Sequence, residues 1–382
     1  MNIYPVYLDY AASTPLDSRV KNKMLDVMNA AHLYANPSSL HIYGQKAKAL
    51  IDTARLQIAS YVGAEASEII FTSGATESIN LAIKGVASLL KRKGHHIITV
   101  KTEHKAVLDT CQHLEKIGYR VTYLTPHPTG RIDLDELLHA FSQETILVSV
   151  MQVNNETGVI QDLDAIAEAT SSRSILLHVD AAQSIGKCKL DVSRTPIDLI
   201  SFSSHKVYGP KGIGALYLRK KPRVRVEPLL HGGGHELGMR SGTLATHQIV
   251  GMGEAFQIAQ QDFESDVLHI QQLHDKFLQA LRMIRSIQIT GDLHHKVPHI
   301  LNIRFEGLLA DALLNELSDV MAVSTGSACQ TKEMSSSHVL RAMGLSTEQI
   351  KSAIRFSFGR LTTQDDISFV TDKILNIFTR KS

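Results

Sequence analysis

The stretch Ser201-Phe-Ser-Ser-His-Lys-Val-Tyr-Gly-Pro-Lys-Gly-Ile-Gly places Lys206 between an apolar run, Asp198 to Phe202, and a glycine-rich turn. The apolar run is typical of a buried β-strand. A lysine at the end of such a strand is held at a fixed point and partly shielded from water, so its amine can lose a proton and condense with an aldehyde. Most lysines are solvated surface groups, so the surrounding sequence has to support this interpretation.

A second apolar run, Ser174-Ile-Leu-Leu-His-Val-Asp-Ala-Ala-Gln-Ser, ends in Asp180, and Gln183 follows three positions later. A carboxylate at the end of a buried strand is costly unless it has a partner. The protonated ring nitrogen of pyridoxal phosphate is such a partner, and the paired ring acts as an electron sink for carbanions. A helix N-cap is the other common role of Asp after a strand. The sequence leaves both roles open.

Short apolar runs alternate with helical patterns from about Glu68 to Leu218. The predicted strands are Glu68 to Thr72, His96 to Lys101, Tyr119 to Leu124, Ile146 to Gln152, Ile175 to Val179 and Leu199 to Phe202. This alternation predicts an α/β fold with a mainly parallel sheet covered by helices. Ligands of such sheets bind at the carboxyl ends of the strands, which is where the candidate residues fall.

The length of 382 residues favours two domains. After Leu218 the pattern changes to a long helical stretch, Gln248 to Arg285, followed by a strand near His299 to Phe305. We predict a large domain over residues 14–262. A smaller α+β domain is predicted to combine residues 1–13 with 263–382.

Composition limits the classes of function. The net charge of +2, from 40 basic and 38 acidic residues, predicts no direct nucleic-acid binding. The three cysteines, at positions 111, 188 and 329, are far apart, which argues against a disulfide framework and against a metal site. No apolar run is long enough to span a bilayer, and no leader is visible, so we expect a cytoplasmic protein without a membrane partner.

Several loops after the predicted strands could hold a phosphorylated cofactor. Ser73-Gly-Ala-Thr-Glu opens the helical pattern of Ser78 to Leu90, so the N–H groups of Gly74, Ala75 and Thr76 could face a phosphate, although an ordinary helix cap is the simpler alternative. Ser203 and His205 could donate to the same phosphate.

Two further strand ends carry polar side chains. His104 could stack on the cofactor ring and carry protons, or it could be a surface or capping residue. Asn155 could reach the phenolic oxygen, or it could simply form a turn.

Eleven segments in a fixed order carry a resemblance over nearly the full length. They are Leu8-Asp-Tyr-Ala-Ala-Ser-Thr-Pro, Asn36-Pro-Ser-Ser, Ser73-Gly-Ala-Thr-Glu, Thr102-Glu-His, Asn154-Asn-Glu-Thr-Gly, His178-Val-Asp-Ala-Ala-Gln, Ser203-Ser-His-Lys, Gly232-Gly-Gly-His-Glu, Arg240-Ser-Gly-Thr, Gly326-Ser-Ala-Cys and Ile354-Arg-Phe-Ser-Phe-Gly-Arg. The chain resembles the cysteine desulfurases of the class V aminotransferase family, in the branch of bacterial IscS and NifS. The resemblance implies the fold of pyridoxal-phosphate-dependent transferases of fold type I, which is aspartate aminotransferase-like.

The resemblance also implies roles for single residues. Lys206 would carry pyridoxal phosphate, Asp180 would pair with the ring nitrogen, Gln183 would bind the phenolic oxygen, and His104 would stack on the ring. Thr76, Ser203 and His205 would hold the phosphate. Thr243 would reach the cofactor of a neighbouring subunit, which implies a homodimer with composite sites. The residues implied to contact the substrate, L-cysteine, are Asn36, Asn155 and Arg355.

Cys329 lies in a polar segment rich in Gly and Ser, which is typical of an exposed, flexible loop over about residues 324–338. The resemblance implies that its thiolate takes the substrate sulfur as a persulfide, with His104 as a proton carrier, and that alanine leaves. The persulfide sulfur would then pass to an acceptor protein, in iron-sulfur cluster assembly, tRNA thiolation or DNA phosphorothioation. A selenocysteine lyase, another class V aminotransferase, and a non-catalytic partner-binding adaptor remain alternatives.

Overall fold

The computed structural model describes residues 4–324 and 337–381. The strands are β1 (Val6–Tyr7), β2 (Ile69–Thr72), β3 (His96–Val100), β4 (Arg120–Leu124), β5 (Thr145–Met151), β6 (Leu176–Asp180), β7 (Leu199–Ser203), β8 (Gly214–Leu218), β9 (Ile287–Thr290), β10 (Ile300–Phe305), β11 (Met321–Ala322) and β12 (Ala353–Ser357).

The α-helices are α1 (Ser18–Asn29), α2 (Ile42–Tyr61), α3 (Ala75–Leu90), α4 (Lys105–Lys116), α5 (Leu134–Ala140), α6 (Leu163–Ser171), α7 (Thr246–Gln261), α8 (Phe263–Leu281), α9 (Ala310–Glu316), α10 (His338–Ala342), α11 (Thr347–Lys351) and α12 (Gln364–Lys381). Short 3₁₀ helices lie at Ala66–Glu68, Ser204–Lys206 and Glu236–Gly238.

The main sheet has the strand order β2-β8-β7-β6-β5-β3-β4. Strand β8 is antiparallel to both of its neighbours, and the pairs from β7 to β4 are parallel. All residues of β5 and β7 are buried, as expected for strands covered by helices on both faces. The predicted mainly parallel sheet is confirmed. The sequence had not indicated β8, because a run of five residues that begins with glycine after a glycine-rich turn gives little strand signal.

A second group of elements surrounds a separate hydrophobic core. It contains the antiparallel sheet β12-β10-β9 and the parallel pair β1-β11. Its core includes buried side chains of α8, β10, β12 and α12, among them Phe277, Phe305, Phe356 and Ile374. Strand β1 therefore returns the N-terminal residues to this group.

The predicted helical stretch Gln248 to Arg285 is two helices. Asp262 ends α7 and precedes α8, with a ψ angle of 4° that departs from helical geometry.

Arg360, from the second group, binds Asp17 at 2.6 Å and Asp266 at 2.6 Å, and its guanidinium carbon lies 4.5 Å from the centre of the Tyr208 ring. The contacts with Asp17 and Tyr208 fasten the second group to the lysine-bearing turn. No helix within residues 4–324 and 337–381 combines the length and the apolar character needed to cross a bilayer.

Candidate active site

A cavity of about 520 Å³ opens at the carboxyl edge of the parallel strands. Four neighbouring strands each contribute a predicted residue after or at their ends: His104 after β3, Asn155 after β5, Asp180 in β6 and Lys206 after β7. The predicted residues that line the cavity are Gly74, Ala75, Thr76, His104, Asn155, Asp180, Gln183, Ser203, His205, Lys206 and Arg355.

Two predicted residues are not brought to this cavity. Asn36 and Thr243 are exposed on the surface and do not line it. The Asn36 side chain instead accepts a hydrogen bond from the Ser38 N–H at 3.0 Å. Cys329 lies outside the described residues.

Lys206 ends the 3₁₀ turn that directly follows β7. Its ammonium donates to the carbonyls of Ala11 and Ala12, both at 2.7 Å. Tyr208, two residues later, has a φ of 62°, which is unusual for a residue with a large side chain. Thr14 supports this turn, because its hydroxyl accepts from the Tyr208 N–H at 2.7 Å. The lysine amine is therefore held in place by the N-terminal segment.

Asp180 is 5% exposed, and its carboxylate accepts a hydrogen bond from the Ala182 N–H at 2.9 Å. Burial raises the pKa of Asp180, while the Ala182 N–H and the charges of His104 and Lys206 act in the opposite direction. No α-helix lies between β6 and β7 in the described chain, so Asp180 does not cap a helix and the N-cap alternative is wrong. A cationic N–H group in the cavity would offset the cost of burying this carboxylate.

The first turn of α3 lines the cavity beside β7. Gly74, its N-cap, has no side chain to accept from the first N–H groups, so an anion can take that place. Gly214 allows this close packing: a Cβ there would lie 2.5 Å from the Gly74 Cα and 2.5 Å from the Phe202 carbonyl oxygen. Glu77 fixes the loop, because it accepts from the Ser73 N–H at 2.7 Å.

His205 lies at the same end of the cavity. Burial lowers the pKa of His205 to about 4, and the charges of Lys206, Lys211 and Lys187 act in the same direction. Its ring is therefore neutral at pH 7. A neutral imidazole keeps one N–H to donate to a phosphate oxygen.

The structure gives His104 one of the roles that the sequence left open, that of a capping residue. Its Nδ1 accepts from the Ala106 N–H at 3.1 Å and so caps α4, while the ring lines the cavity. Burial lowers the pKa of His104, the charge of Asp180 opposes this, and the charge of Lys206 adds to it. Because Nδ1 accepts, the neutral imidazole carries its hydrogen on Nε2, which can donate a hydrogen bond, and the ring can stack on another ring.

Asn155 lies in a turn that the buried Asn154 holds together. The Asn154 Oδ1 accepts from the N–H groups of Glu156 at 2.9 Å and Thr157 at 3.0 Å. The Oδ1 of Asn155 is buried and has no hydrogen-bond partner within the described part of the chain. It lines the cavity, so a donor from a bound molecule would satisfy it.

Arg355 is brought to the cavity by β12 of the second group and is 5% exposed. Its guanidinium pairs with Asp9 at 2.7 Å and donates to the Asn155 carbonyl at 3.0 Å. Its Nε is buried without a partner among residues 4–324 and 337–381. A guanidinium with a donor still to satisfy suits the carboxylate of an amino acid.

Sequence reasoning missed three buried ionisable residues near the site. Glu156 lines the cavity, accepts a hydrogen bond from Ser337, and has its pKa raised by burial to about 7. Lys187 contacts Gln183, and Glu103 accepts from the Met151 N–H at 2.7 Å. Glu103 and Glu156 stand within quoted motifs, but a motif does not tell which of its polar residues will be buried.

The residues present fit pyridoxal phosphate. Asp180 suits the protonated ring nitrogen, the start of α3 suits the phosphate, and Lys206 suits the aldehyde. No cluster of three or more His, Cys, Asp or Glu side chains suited to a metal ion occurs in the described ranges.

Comparisons with known proteins agree with this fit. The family model described as aminotransferase class-V matches residues 6–370. A protein of Vibrio vulnificus (strain YJ016) named cysteine desulfurase IscS is 54% identical over 371 residues, which are 97% of this chain and 92% of that protein. Relatives so named depend on pyridoxal phosphate, as do members of the family.

Two solved structures show the same fold. A NifS-like protein matches with a TM-score of 0.91 and 36% identity, covering 98% of this chain and 99% of that chain. SspA in complex with cysteine matches with a TM-score of 0.84 and 40% identity, covering 94% and 100%. The family and fold predicted from the sequence are confirmed, and the chain belongs to the class V aminotransferases.

Proposed function

We propose that the chain is a cysteine desulfurase that converts L-cysteine to L-alanine and passes the sulfur to an acceptor protein. The observation that carries this proposal is the convergence of Lys206, Asp180 and Arg355 on one cavity. An amine, a buried carboxylate and a guanidinium are the groups that a pyridoxal-phosphate enzyme needs for its aldehyde, its ring nitrogen and an amino-acid carboxylate. The cysteine desulfurase IscS relatives and the SspA structure with cysteine support the substrate.

Each residue has a definable task. When bound, the cofactor supplies an aldehyde and a ring that takes up negative charge. Asp180 stabilises the protonated ring nitrogen, and Arg355 binds the substrate carboxylate. Lys206 would hold the cofactor through its aldehyde, and its amine, when free, would accept the α proton of the substrate. His104 has an imidazole that can carry protons within the cavity.

Cys329 is the proposed sulfur acceptor, and its role rests on the sequence. Its thiolate attacks the substrate sulfur, so that an S–S bond forms as the carbon–sulfur bond breaks. The electron pair of the broken bond stays with the carbon skeleton, which takes up protons and leaves as alanine. The enzyme thiol and cysteine are thereby converted to an enzyme persulfide and alanine.

The test compares single substitutions in the holoenzyme. Cys329→Ser is expected to keep the visible absorbance of the bound cofactor but to release no sulfide from cysteine in the presence of dithiothreitol. Lys206→Ala is expected to lose the absorbance of the lysine-bound cofactor. Cys188→Ala is the matched control, because Cys188 is half-buried and desolvation raises its pKa to about 12, so it should not act as a nucleophile. Full sulfide release by Cys329→Ser would reject the assignment.

The same assay separates the alternatives. A selenocysteine lyase would prefer selenocysteine over cysteine, and an aminotransferase would need a keto acid. A partner-binding adaptor would show no absorbance of lysine-bound cofactor even with pyridoxal phosphate added.

The proposal includes a cytoplasmic homodimer with composite sites. Thr243 is exposed and does not line the cavity of its own chain, as expected if it serves a neighbouring subunit. Large apolar side chains are exposed on the segments around Asn36 and Thr243. They are Tyr34, Leu40, Ile42, Tyr43, Leu229, Leu230 and Leu237. A second copy covering them would remove apolar surface from water.

We also propose that the domains divide at residue 262, with residues 1–13 in the smaller one. The two separate cores support this division. Iron-sulfur cluster assembly, tRNA thiolation and DNA phosphorothioation remain the candidate pathways, because all of them consume a protein persulfide.

A further inference from the structure

Lys187 is a buried lysine to which the proposed reaction assigns no task. It lies seven residues after the end of β6 and is 9% exposed. Its Nζ donates a hydrogen bond to the side-chain oxygen of Gln183. Burying an amine costs free energy, so its hydrogen bond to Gln183 calls for an explanation.

Gln183 is the residue proposed to bind the phenolic oxygen of the cofactor, and it can do so in only one orientation of its amide. Its Nε2 donates to the Ala11 carbonyl at 2.8 Å, and its Oε1 accepts from Lys187. A carbonyl only accepts, and a lysine ammonium only donates, so these two partners fix which end of the amide is which. One Nε2 hydrogen is then left for an oxygen acceptor in the cavity.

The same Ala11 carbonyl accepts from Lys206 at 2.7 Å. A continuous set of hydrogen bonds therefore runs from Lys187 through Gln183 and Ala11 to the lysine that would carry the cofactor. Gln183 is 4% exposed, so its amide has little access to water that could replace a lost partner.

We propose that Lys187 is a positioning residue: its hydrogen bond to Gln183 Oε1 turns the amide nitrogen of Gln183 toward the phenolic oxygen of pyridoxal phosphate. This inference rests on the proposed function, since it takes that oxygen as the acceptor. Lys187 acts through Gln183 and does not itself line the cavity.

Charged and ionisable groups surround the Lys187 amine. Burial lowers the pKa of Lys187 to about 7, the charges of Lys206 and Arg355 add to this, and Cys188 opposes it. Lys187 in turn acts with burial to lower the pKa of His299. A neutral amine still has N–H groups, so the bond to Gln183 persists on both sides of pH 7.

The experiment titrates the visible absorbance of the lysine-bound cofactor in the holoenzyme. Without the Gln183 donor the phenolic oxygen holds a proton more strongly, so Lys187→Met is expected to raise the pH midpoint by about one unit, the size of one lost hydrogen bond. Lys187→Gln, which keeps a donor, is expected to shift the midpoint less than half as far. Lys189→Met, at an exposed lysine two residues later, is the matched control and should leave the midpoint unchanged.

A double-substitution cycle decides whether Lys187 acts through Gln183. If it does, Lys187→Met combined with Gln183→Ala shifts the midpoint no further than Gln183→Ala alone. Shifts that add, or an unchanged midpoint in Lys187→Met, would overturn the proposal. Failure of the proposed function is distinguishable, because it would show in the unsubstituted protein as no alanine and no sulfide from cysteine.

Discussion

Replacing the buried carboxyl of Glu156 by an amide should change how the stability of the protein depends on pH. Glu156 is 3% exposed, and its Oε2 accepts a hydrogen bond from the Ser337 hydroxyl. Burial raises its pKa from 4.5 to about 7, although the bond to Ser337 and the charge of Arg355 act in the opposite direction. The folded protein therefore binds a proton that the unfolded chain releases.

The sign and size follow from the two pKa values. Because the folded pKa is the higher one, the stabilisation is fully present below pH 4.5 and is lost as the pH rises through 7. At 1.36 kcal/mol per pKa unit, the loss between pH 5 and pH 8 is about 2.5 kcal/mol. Glu156→Gln keeps an oxygen for Ser337 but does not ionise. Its free energy of unfolding, relative to the unsubstituted protein, should therefore rise by about 2.5 kcal/mol over that range.

Urea denaturation of the holoenzymes at pH 5, 6, 7 and 8, at one protein concentration and with excess cofactor, measures this difference. Because Glu156 lines the cavity, the cofactor affinity of each protein is measured at each pH and its contribution to stability is subtracted, so that the difference isolates the substituted residue. Glu144→Gln, at an exposed glutamate, is the control and should show a flat difference. If the difference in free energy of unfolding for Glu156→Gln does not change with pH either, the conclusion that Glu156 is protonated in the folded protein near neutral pH is refuted.

Two further predictions concern the cavity, and a third concerns the ion pair between Arg55 and Glu236. Gly214→Ala should weaken cofactor binding at least about tenfold, because its Cβ would lie 2.5 Å from the Gly74 Cα; unchanged binding in an absorbance titration would contradict this. Arg355→Lys should raise the KM for cysteine about tenfold or more while leaving the cofactor absorbance intact, since a lysine cannot bind a carboxylate through a planar pair of donors. An unchanged KM would contradict the proposal that Arg355 binds the substrate carboxylate. Glu236→Gln should lower the free energy of unfolding in urea denaturation by about 3 kcal/mol, because it leaves the Arg55 guanidinium, 2.7 Å from the Glu236 carboxylate, without its countercharge. A decrease of less than about 1 kcal/mol would contradict this.

The strands of the main sheet were largely predictable. Strands buried on both faces are continuous apolar runs, and the predicted runs at His96 to Lys101 and Leu199 to Phe202 each match an observed strand to within one residue. The break at Asp262 was less visible, because no proline or glycine interrupts the helical pattern there. Only the backbone at Asp262 separates α7 from α8.

Residue types and their order along the chain determined the family, the sheet and the polar residues at the strand ends, because buried strands and tight loops leave local patterns. Tertiary structure decided the rest. It brought Arg355 and Ala11 from distant parts of the chain to the Lys206 cavity, and it buried Glu156 and Lys187. Burial and hydrogen-bond partners set the pKa of a side chain and the orientation of an amide, and both depend on contacts between segments that lie far apart in the sequence.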